Sequence, residues 1–161
     1  MLKEKKTKKK ISVKELIKNL DIPKQNESIF TIEDNGNSIF DYFLSICSKE
    51  KVLDVKIVSY RIAKKDIIFL EEIKKIYNLD FKFKLVLSDS IPTMVVGTFN
   101  YLNNNENFDV KYINTHIKLC AFKTENNFYT IFSSGNFNPD GKIEQLEIFN
   151  NKDIYNNFIN F

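Results

Sequence analysis

One stretch of the chain, residues 115–136, concentrates the side chains whose types and spacing could do chemistry: THIKLCAFKTENNFYTIFSSGN. It contains His116, the only histidine of the chain, with Lys118 two residues later, and it ends in Ser134 and Asn136. A neutral imidazole can attack phosphorus, while an ammonium group and hydroxyl and amide donors can bind the negative charge of a phosphodiester. These residue types therefore favour phosphoryl chemistry that needs no metal.

A β-hairpin would bring these groups together. Residues 116–122 and 128–134 are typical of strands, and the KTENN between them has the length and composition of a hairpin loop. Residues two apart in a strand project to the same face, so we expect His116 and Lys118 to project together. Antiparallel pairing would then place Ser133 and Ser134 beside His116, with Asn136 in the loop just beyond.

The alternative is that His116 is an ordinary strand residue, because an H-x-K triplet often occurs by chance. The triplet is joined here by a hairpin, an S-x-N at the correct end and a later glutamate, and this combination favours a phosphate site. Cys47 and Cys120 lie in apolar surroundings without metal-type spacing, so we expect reduced thiols in the core. Neither a metal nor another cofactor is expected.

The order of these residues resembles the signature of the phospholipase D superfamily, in which H-x-K is followed by a strand, a loop, a second strand and G-S-x-N. His116 and Lys118 match the His and Lys, Ser134 and Asn136 match the Ser and Asn, and Ser133 stands where Gly is usual. Residues 134–148, SGNFNPDGKIEQLEI, further resemble the phage and mobile-element branch, where an Asn-rich loop precedes a Glu-Gln pair.

Besides Ser133, the chain departs from this pattern at a second position, and its loop to the Ser is longer than standard. The superfamily's Asp would fall at Lys123, which puts the structural bracing of the motif in question but retains the nucleophile and the phosphate-binding groups. Members often carry a later carboxylate that orients the nucleophilic His. Glu144 is the candidate for this role and Glu147 the reserve, since a carboxylate on one ring nitrogen fixes the tautomer.

The resemblance implies a two-step displacement through a phosphohistidine, with a second His as acid and then base. Because this chain has one His, the resemblance implies a C2 homodimer with the active site at the interface, as in single-motif nucleases. The expected activity is a metal-independent phosphodiesterase, most favourably a nuclease or DNA-processing enzyme. The alternatives are an inactive member that binds nucleic acid or protein and, least favoured, a lipid phosphodiesterase.

Three further residues are candidate phosphate or nucleic-acid contacts. Tyr60 and Arg61 end a predicted strand, and ligands often lie at the carboxyl ends of strands. Tyr60 can equally border the core. Asn138 follows Asn136 in the same loop.

The charge pattern singles out the start of the chain. Residues 1–10, MLKEKKTKKK, carry a surplus of five positive charges against a total of +3, which leaves the rest at −2. We expect a flexible basic tail over residues 1–11, either a solubilising segment or an arm attracted to nucleic acid, followed by one domain over 12–161. No apolar run approaches the ~18 residues of a membrane span, so we expect a cytoplasmic protein and no membrane partner.

The hydrophobic pattern predicts how these residues are positioned. Strands alternate with helices through residue 104, which predicts an α/β sandwich with parallel strand pairs. This agrees with the superfamily fold, a mixed, largely central β-sheet with helices on both faces. Helices are predicted over 12–20, 38–50, 64–78, 93–104 and 152–161, and strands over 28–32, 52–60, 81–87, 108–113, 116–122 and 128–134. Residues 142–150 fit neither period and are left open between strand and helix.

Overall fold

A computed structural model describes residues 17–34, 36–137 and 143–160, and for residues 33, 34, 143 and 144 it describes only the backbone. The basic tail, Asn138 and most of the helix predicted over 12–20 lie outside these ranges. The described end of that predicted helix, residues 17–20, is not helical, so the prediction is wrong there. Tertiary contacts hold this segment instead: Lys18 pairs with Asp41 at 3.2 Å, and the Lys49 ammonium donates to the Leu20 carbonyl at 3.0 Å.

The described strands form a seven-stranded mixed sheet in the order β1-β7-β6-β5-β2-β3-β4. β2, β3 and β4 run parallel, and the other neighbours are antiparallel. The strands are β1 (Ser28–Asp34), β2 (Val52–Ser59), β3 (Phe83–Ser88), β4 (Phe108–Ile113), β5 (Leu119–Thr124), β6 (Phe128–Ser133) and β7 (Ile143–Asn150). The segment left open by its pattern is thus strand β7, because it pairs on one side with β1 and on the other with β6.

Two helices in the described ranges begin at residues with side-chain N-caps, Ser38 and Asn151. The helices are α1 (Ile39–Cys47), α2 (Lys64–Ile76), α3 (Ile91–Met94), α4 (Val96–Asn103) and α5 (Lys152–Ile159). Ser38 and Asp41 form a capping box at α1, with the Ser38 N–H donating to the Asp41 carboxylate at 2.8 Å. The single helix predicted over 93–104 is instead α3 and α4, which meet at Val95 where φ is −134° and ψ is 57°.

Both faces of the sheet carry helices, as predicted. α1, α2 and α4 cover one face through the larger apolar cluster, in which Phe43 packs edge-on against Phe122 with ring centroids 5.2 Å apart. α5 covers part of the other face, where Tyr155 packs in a smaller cluster with Leu119 and Ala121. None of the helices in the described ranges is long and apolar enough to cross a membrane.

Candidate functional site

The sheet topology brings the sequence-predicted groups to one edge. β2, β3, β4 and β6 end at this edge, and β5 and β7 begin there, because β5 and β7 run antiparallel to the strands beside them. Tyr60 and Arg61 follow β2, His116 and Lys118 precede β5, and Ser134 follows β6. Residues far apart in the chain thus meet where the ends of neighbouring strands form a shared rim.

His116 and Lys118 lie just outside the regular strand, which begins at Leu119 and not at His116 as predicted. The pairing of β2 with β5 ends at Val58 and Leu119, and Ser59, the last residue of β2, donates its hydroxyl to the Arg61 carbonyl at 2.6 Å. The Lys118 ammonium folds back and donates to the His116 carbonyl at 2.9 Å. His116 is exposed and Lys118 half-buried, so both are within reach of a ligand.

Tyr60 stacks on His116. Their ring centroids are 4.2 Å apart and the ring planes differ by 16°, while the Arg61 guanidinium carbon lies 5.6 Å from the Tyr60 centroid. Tyr60 belongs to neither of the apolar clusters described above, so it borders the site and not the core. The stacked phenol thus covers one face of the imidazole.

The hairpin prediction is confirmed. Leu119 pairs with Phe132, and one residue further the Ser133 N–H donates to the Lys118 carbonyl at 3.1 Å. Ser134 is held from the other side by β7: its N–H donates to the Gln145 carbonyl at 3.0 Å, and its hydroxyl oxygen accepts from the Gln145 N–H at 2.9 Å. The sequence did not predict this role of Gln145. Residues 142–150 were left open between strand and helix, so nothing indicated that β7 would pair with β6.

The loop after Ser134 is anchored to the core. The Phe137 ring is buried edge-on against Phe40 at 5.6 Å, and the Phe40 N–H donates to the Phe137 carbonyl at 3.1 Å. Asn136, just before it, carries a buried Oδ1 that has no hydrogen-bond partner among the described residues. An unpaired buried amide oxygen is costly, which makes it a ready acceptor for an incoming donor.

The two later carboxylates, Glu144 and Glu147, both lie on β7. Glu144 lies in β7 opposite Glu33, and only its backbone is described. Glu147 is exposed on β7 opposite Phe132. Lys123, at the position of the superfamily's Asp, lies five residues along β5 from Lys118, about 16 Å away at a typical strand rise. Lys123 is therefore remote from the candidate site, with its ammonium 5.7 Å from the Phe128 centroid.

The exposed charged residues that follow β2 at the rim are positive. Arg61, Lys64 and Lys65 are exposed in the segment that leaves β2 and starts α2. Within the described ranges, no group of three or more His, Cys, Asp or Glu residues is close enough to hold a metal ion. Cys47 and Cys120 are buried as predicted, and burial raises the pKa of both thiols, so they stay protonated.

Comparisons with known proteins place the fold. No family model and no curated protein matches the sequence. Among solved structures, the phospholipase D family member Nuc from Salmonella typhimurium matches with a TM-score of 0.56 and 15% identity over 83% of this chain and 91% of that one. NucT from Helicobacter pylori matches with a TM-score of 0.59 and 16% identity over 83% and 92%. Polyphosphate kinase from Porphyromonas gingivalis matches with a TM-score of 0.58 and 14% identity over 83% of this chain and 25% of its own. The chain therefore has a phospholipase D-like α/β fold.

Proposed function

We propose that this chain is a metal-independent phosphodiesterase that acts on nucleic acid, as a nuclease or DNA-processing enzyme. The observation that carries the proposal is the meeting of His116, Lys118, Ser134 and Asn136 at one rim of a phospholipase D-like sheet. Two of the solved structures with this fold are named Nuc, a phospholipase D family member, and NucT. These names agree with the resemblance of the motif.

In the first step, a ring nitrogen of His116 attacks phosphorus and the bond to the leaving oxygen breaks. The Lys118 ammonium has three N–H donors. One donates to the His116 carbonyl, and two remain for the phosphate oxygens. The Ser134 hydroxyl and the Asn136 amide NH2 complete the anion site as donors, and donors fixed in advance stabilise the transition-state charge. Water then attacks the phosphohistidine, which releases the phosphate product and restores the imidazole.

The leaving oxygen needs a proton, and His116 is the only imidazole of the chain. A second copy related by a two-fold axis would supply the second His116, first as acid towards the leaving group and then as base towards water. We therefore propose a C2 homodimer with the site at its interface. Glu144 is proposed to orient the nucleophilic ring from β7.

Nucleic acid is favoured over lipid because of the charges beside the site. Arg61, Lys64 and Lys65 are exposed next to Tyr60, where they can bind the phosphates that flank the scissile one. The lysine-rich tail adds sequence-independent attraction to such a polyanion. We expect no turnover of phosphatidylcholine.

A second candidate function is a catalytically inactive module that binds nucleic acid or protein, and Lys123 in place of Asp favours it. The position of Lys123 favours activity, because this replacement of Asp lies a strand length away from the site. Ser133 also substitutes for Gly without opening the loop, because its hydroxyl accepts from the Gly135 N–H at 2.9 Å.

Cleavage in the presence of EDTA separates the two functions. We expect the wild-type protein to cleave single- or double-stranded DNA, and His116→Ala to reduce the rate by at least about 100-fold because it removes the nucleophile. Lys24→Ala is the matched control, since it changes an exposed residue away from the rim. Equal cleavage by the wild type and His116→Ala would refute the proposed mechanism, and specific binding without cleavage would establish the inactive module.

A further inference from the structure

An exposed patch lies on the α5 face of the sheet, beside the candidate site. α5 packs over β5 and β6, and on the same face Phe30 and Ile32 of β1 and Gln145 and Glu147 of β7 remain exposed. Phe30 and Ile32, both on β1, are 56% and 66% exposed. Single exposed apolar side chains are normal, but two on one face of one strand form a surface that a ligand can cover.

The strand register arranges this patch in two rows that cross β1, β7 and β6. Phe30, Glu147 and Phe132 are directly opposite one another and form the first row. Ile32 and Gln145 are opposite one another in the second row, which Ser134 continues through its two bonds to the Gln145 backbone. Residues opposite one another in a sheet project to the same face, so two polar side chains lie between aromatic and aliphatic neighbours.

A cavity beside these rows extends to Ser134, one of the proposed phosphate-binding residues. It has a volume of about 220 Å³ and is lined by Phe132, Ser133, Ser134, Gln145 and Glu147. Phe132 is held in place by α5, with its ring 4.9 Å from that of Phe158. The cavity therefore has a fixed aromatic wall on one side and the Ser134 hydroxyl at its end.

We propose that this patch is a subsite for an unpaired guanine next to the scissile phosphate, an inference that rests on the proposed function and specifies its substrate. An exposed sheet with aromatic side chains stacks splayed bases of single strands, and Phe30 provides such a surface. The Glu147 carboxylate only accepts hydrogen bonds, and guanine presents two adjacent donors, N1–H and N2–H, on one edge. Gln145 can donate its amide to guanine O6.

The other bases fit less well. Adenine and cytosine place a ring-nitrogen acceptor beside their single amino donor, and thymine flanks its N3–H with two carbonyl oxygens, so each of them opposes an acceptor to the carboxylate. A phosphate would be repelled by Glu147. Arg61, Lys64 and Lys65 lie beside β2, three strands away from β7, so the proposed contacts to flanking phosphates are separate from the base subsite.

Binding of single strands tests this inference directly. The probes are fluorescein-labelled octathymidylates with one central G, A, C or T, titrated by anisotropy in EDTA at fixed salt against protein carrying His116→Ala to prevent cleavage. We expect the G strand to bind at least about fivefold more tightly than the others, as for bidentate base contacts. Adding Glu147→Gln should abolish the preference, and adding Phe30→Ala should weaken all four strands at least about fivefold through lost stacking.

Matched controls and light scattering keep the result unambiguous. Glu106→Gln makes the same charge change at an exposed site away from the rim, and Leu53→Ala removes another exposed apolar side chain; both should retain the preference and the affinity. Equal affinity for the four strands, or a preference that survives Glu147→Gln, would overturn the inference. A molar mass halved by Phe30→Ala would also overturn it, because the patch would then be a subunit interface. If His116→Ala cleaves like the wild type while the guanine preference still depends on Glu147, only the proposed chemistry fails.

Discussion

At the scale of single residues, the contact that most affects the proposed chemistry is the stack of Tyr60 on His116. An exposed imidazole would rotate about its side-chain bonds, and each rotation moves the attacking nitrogen away from the phosphate. The parallel phenol ring at 4.2 Å restricts this rotation. Tyr60 is therefore proposed as a positioning residue that acts through His116.

Replacing Tyr60 tests this role. Since an aromatic pair contributes about 0.5–1.5 kcal/mol, Tyr60→Leu should lower the single-turnover cleavage rate by roughly twofold to tenfold. Tyr60→Phe retains the ring and should restore the wild-type rate. The NMR signal of the only histidine provides a second measurement, because Tyr60→Leu removes the ring-current shift on His116. A wild-type rate in Tyr60→Leu together with a changed His116 signal would show that the stack has no catalytic role.

At the scale of elements, the hairpin that positions Ser134 is fixed at its far end by Glu50. This carboxylate, just beyond α1, accepts from Thr124 at 2.6 Å, from Tyr129 at 2.7 Å and from Asn127 at 3.0 Å. Burial by itself would raise the pKa of Glu50, but the three hydrogen bonds outweigh it, and the pKa is lowered from 4.5. The hairpin thus joins α1 through a charged group that is more acidic in the folded chain.

This shift has a defined pH dependence. A carboxyl group with a folded pKa below its unfolded value stabilises the fold above the unfolded pKa, and this contribution is lost as the pH falls through the folded pKa. We expect Glu50→Gln to cost about 1–3 kcal/mol of unfolding free energy at pH 7. The variant should also lose less stability than the wild type between pH 5 and pH 3, in urea titrations at each pH.

Two other carboxylates, Glu71 and Glu125, help to interpret that experiment. Glu71 also has a lowered pKa, because hydrogen bonds from Tyr101, Asn105 and Asn107 outweigh its burial, so Glu50→Gln should remove only part of the acid sensitivity. Glu125→Gln, on the exposed hairpin loop, is the control and should change the stability at pH 7 little. An acid sensitivity identical in Glu50→Gln and wild type would contradict this account of Glu50.

At the scale of the whole molecule, the proposed mechanism needs two copies of the chain. Each chain of 19.0 kDa contributes one His116, so light scattering should give twice that mass. A strict monomer at all working concentrations would exclude a site that spans two subunits.

Mixing experiments test whether the two histidines share one site. When wild-type and His116→Ala chains exchange freely at equal amounts, random pairing leaves about half of the wild-type chains in wild-type dimers. If both histidines are needed, the activity per wild-type chain should fall to about half. An activity per wild-type chain that does not change on mixing would mean that each subunit works alone.

Features that arise from local spacing can be predicted from the sequence. The hairpin of β5 and β6, the start of α1 at Ser38 and the amphipathic helix α2 all follow from periodicities or caps within a few residues. The position of Ser134 beyond the hairpin followed in the same way, since a hairpin fixes the register of its own two strands. Lys123 was recognisable as a departure from the superfamily pattern, and its distance from Lys118 also follows from their spacing in one strand.

Contacts between strands that are distant in sequence become visible only in the folded sheet. Neither the stacking of Tyr60 on His116 nor the row of Phe30, Glu147 and Phe132 has a local signal, because each depends on which strands become neighbours. The same non-local pairing makes residues 143–150 strand β7. It also limits the pairing of β5 with β2 to residues from Leu119 onward. Local periodicity encodes which face of an element is apolar, whereas the order of strands is set by burial and backbone pairing of the whole sheet.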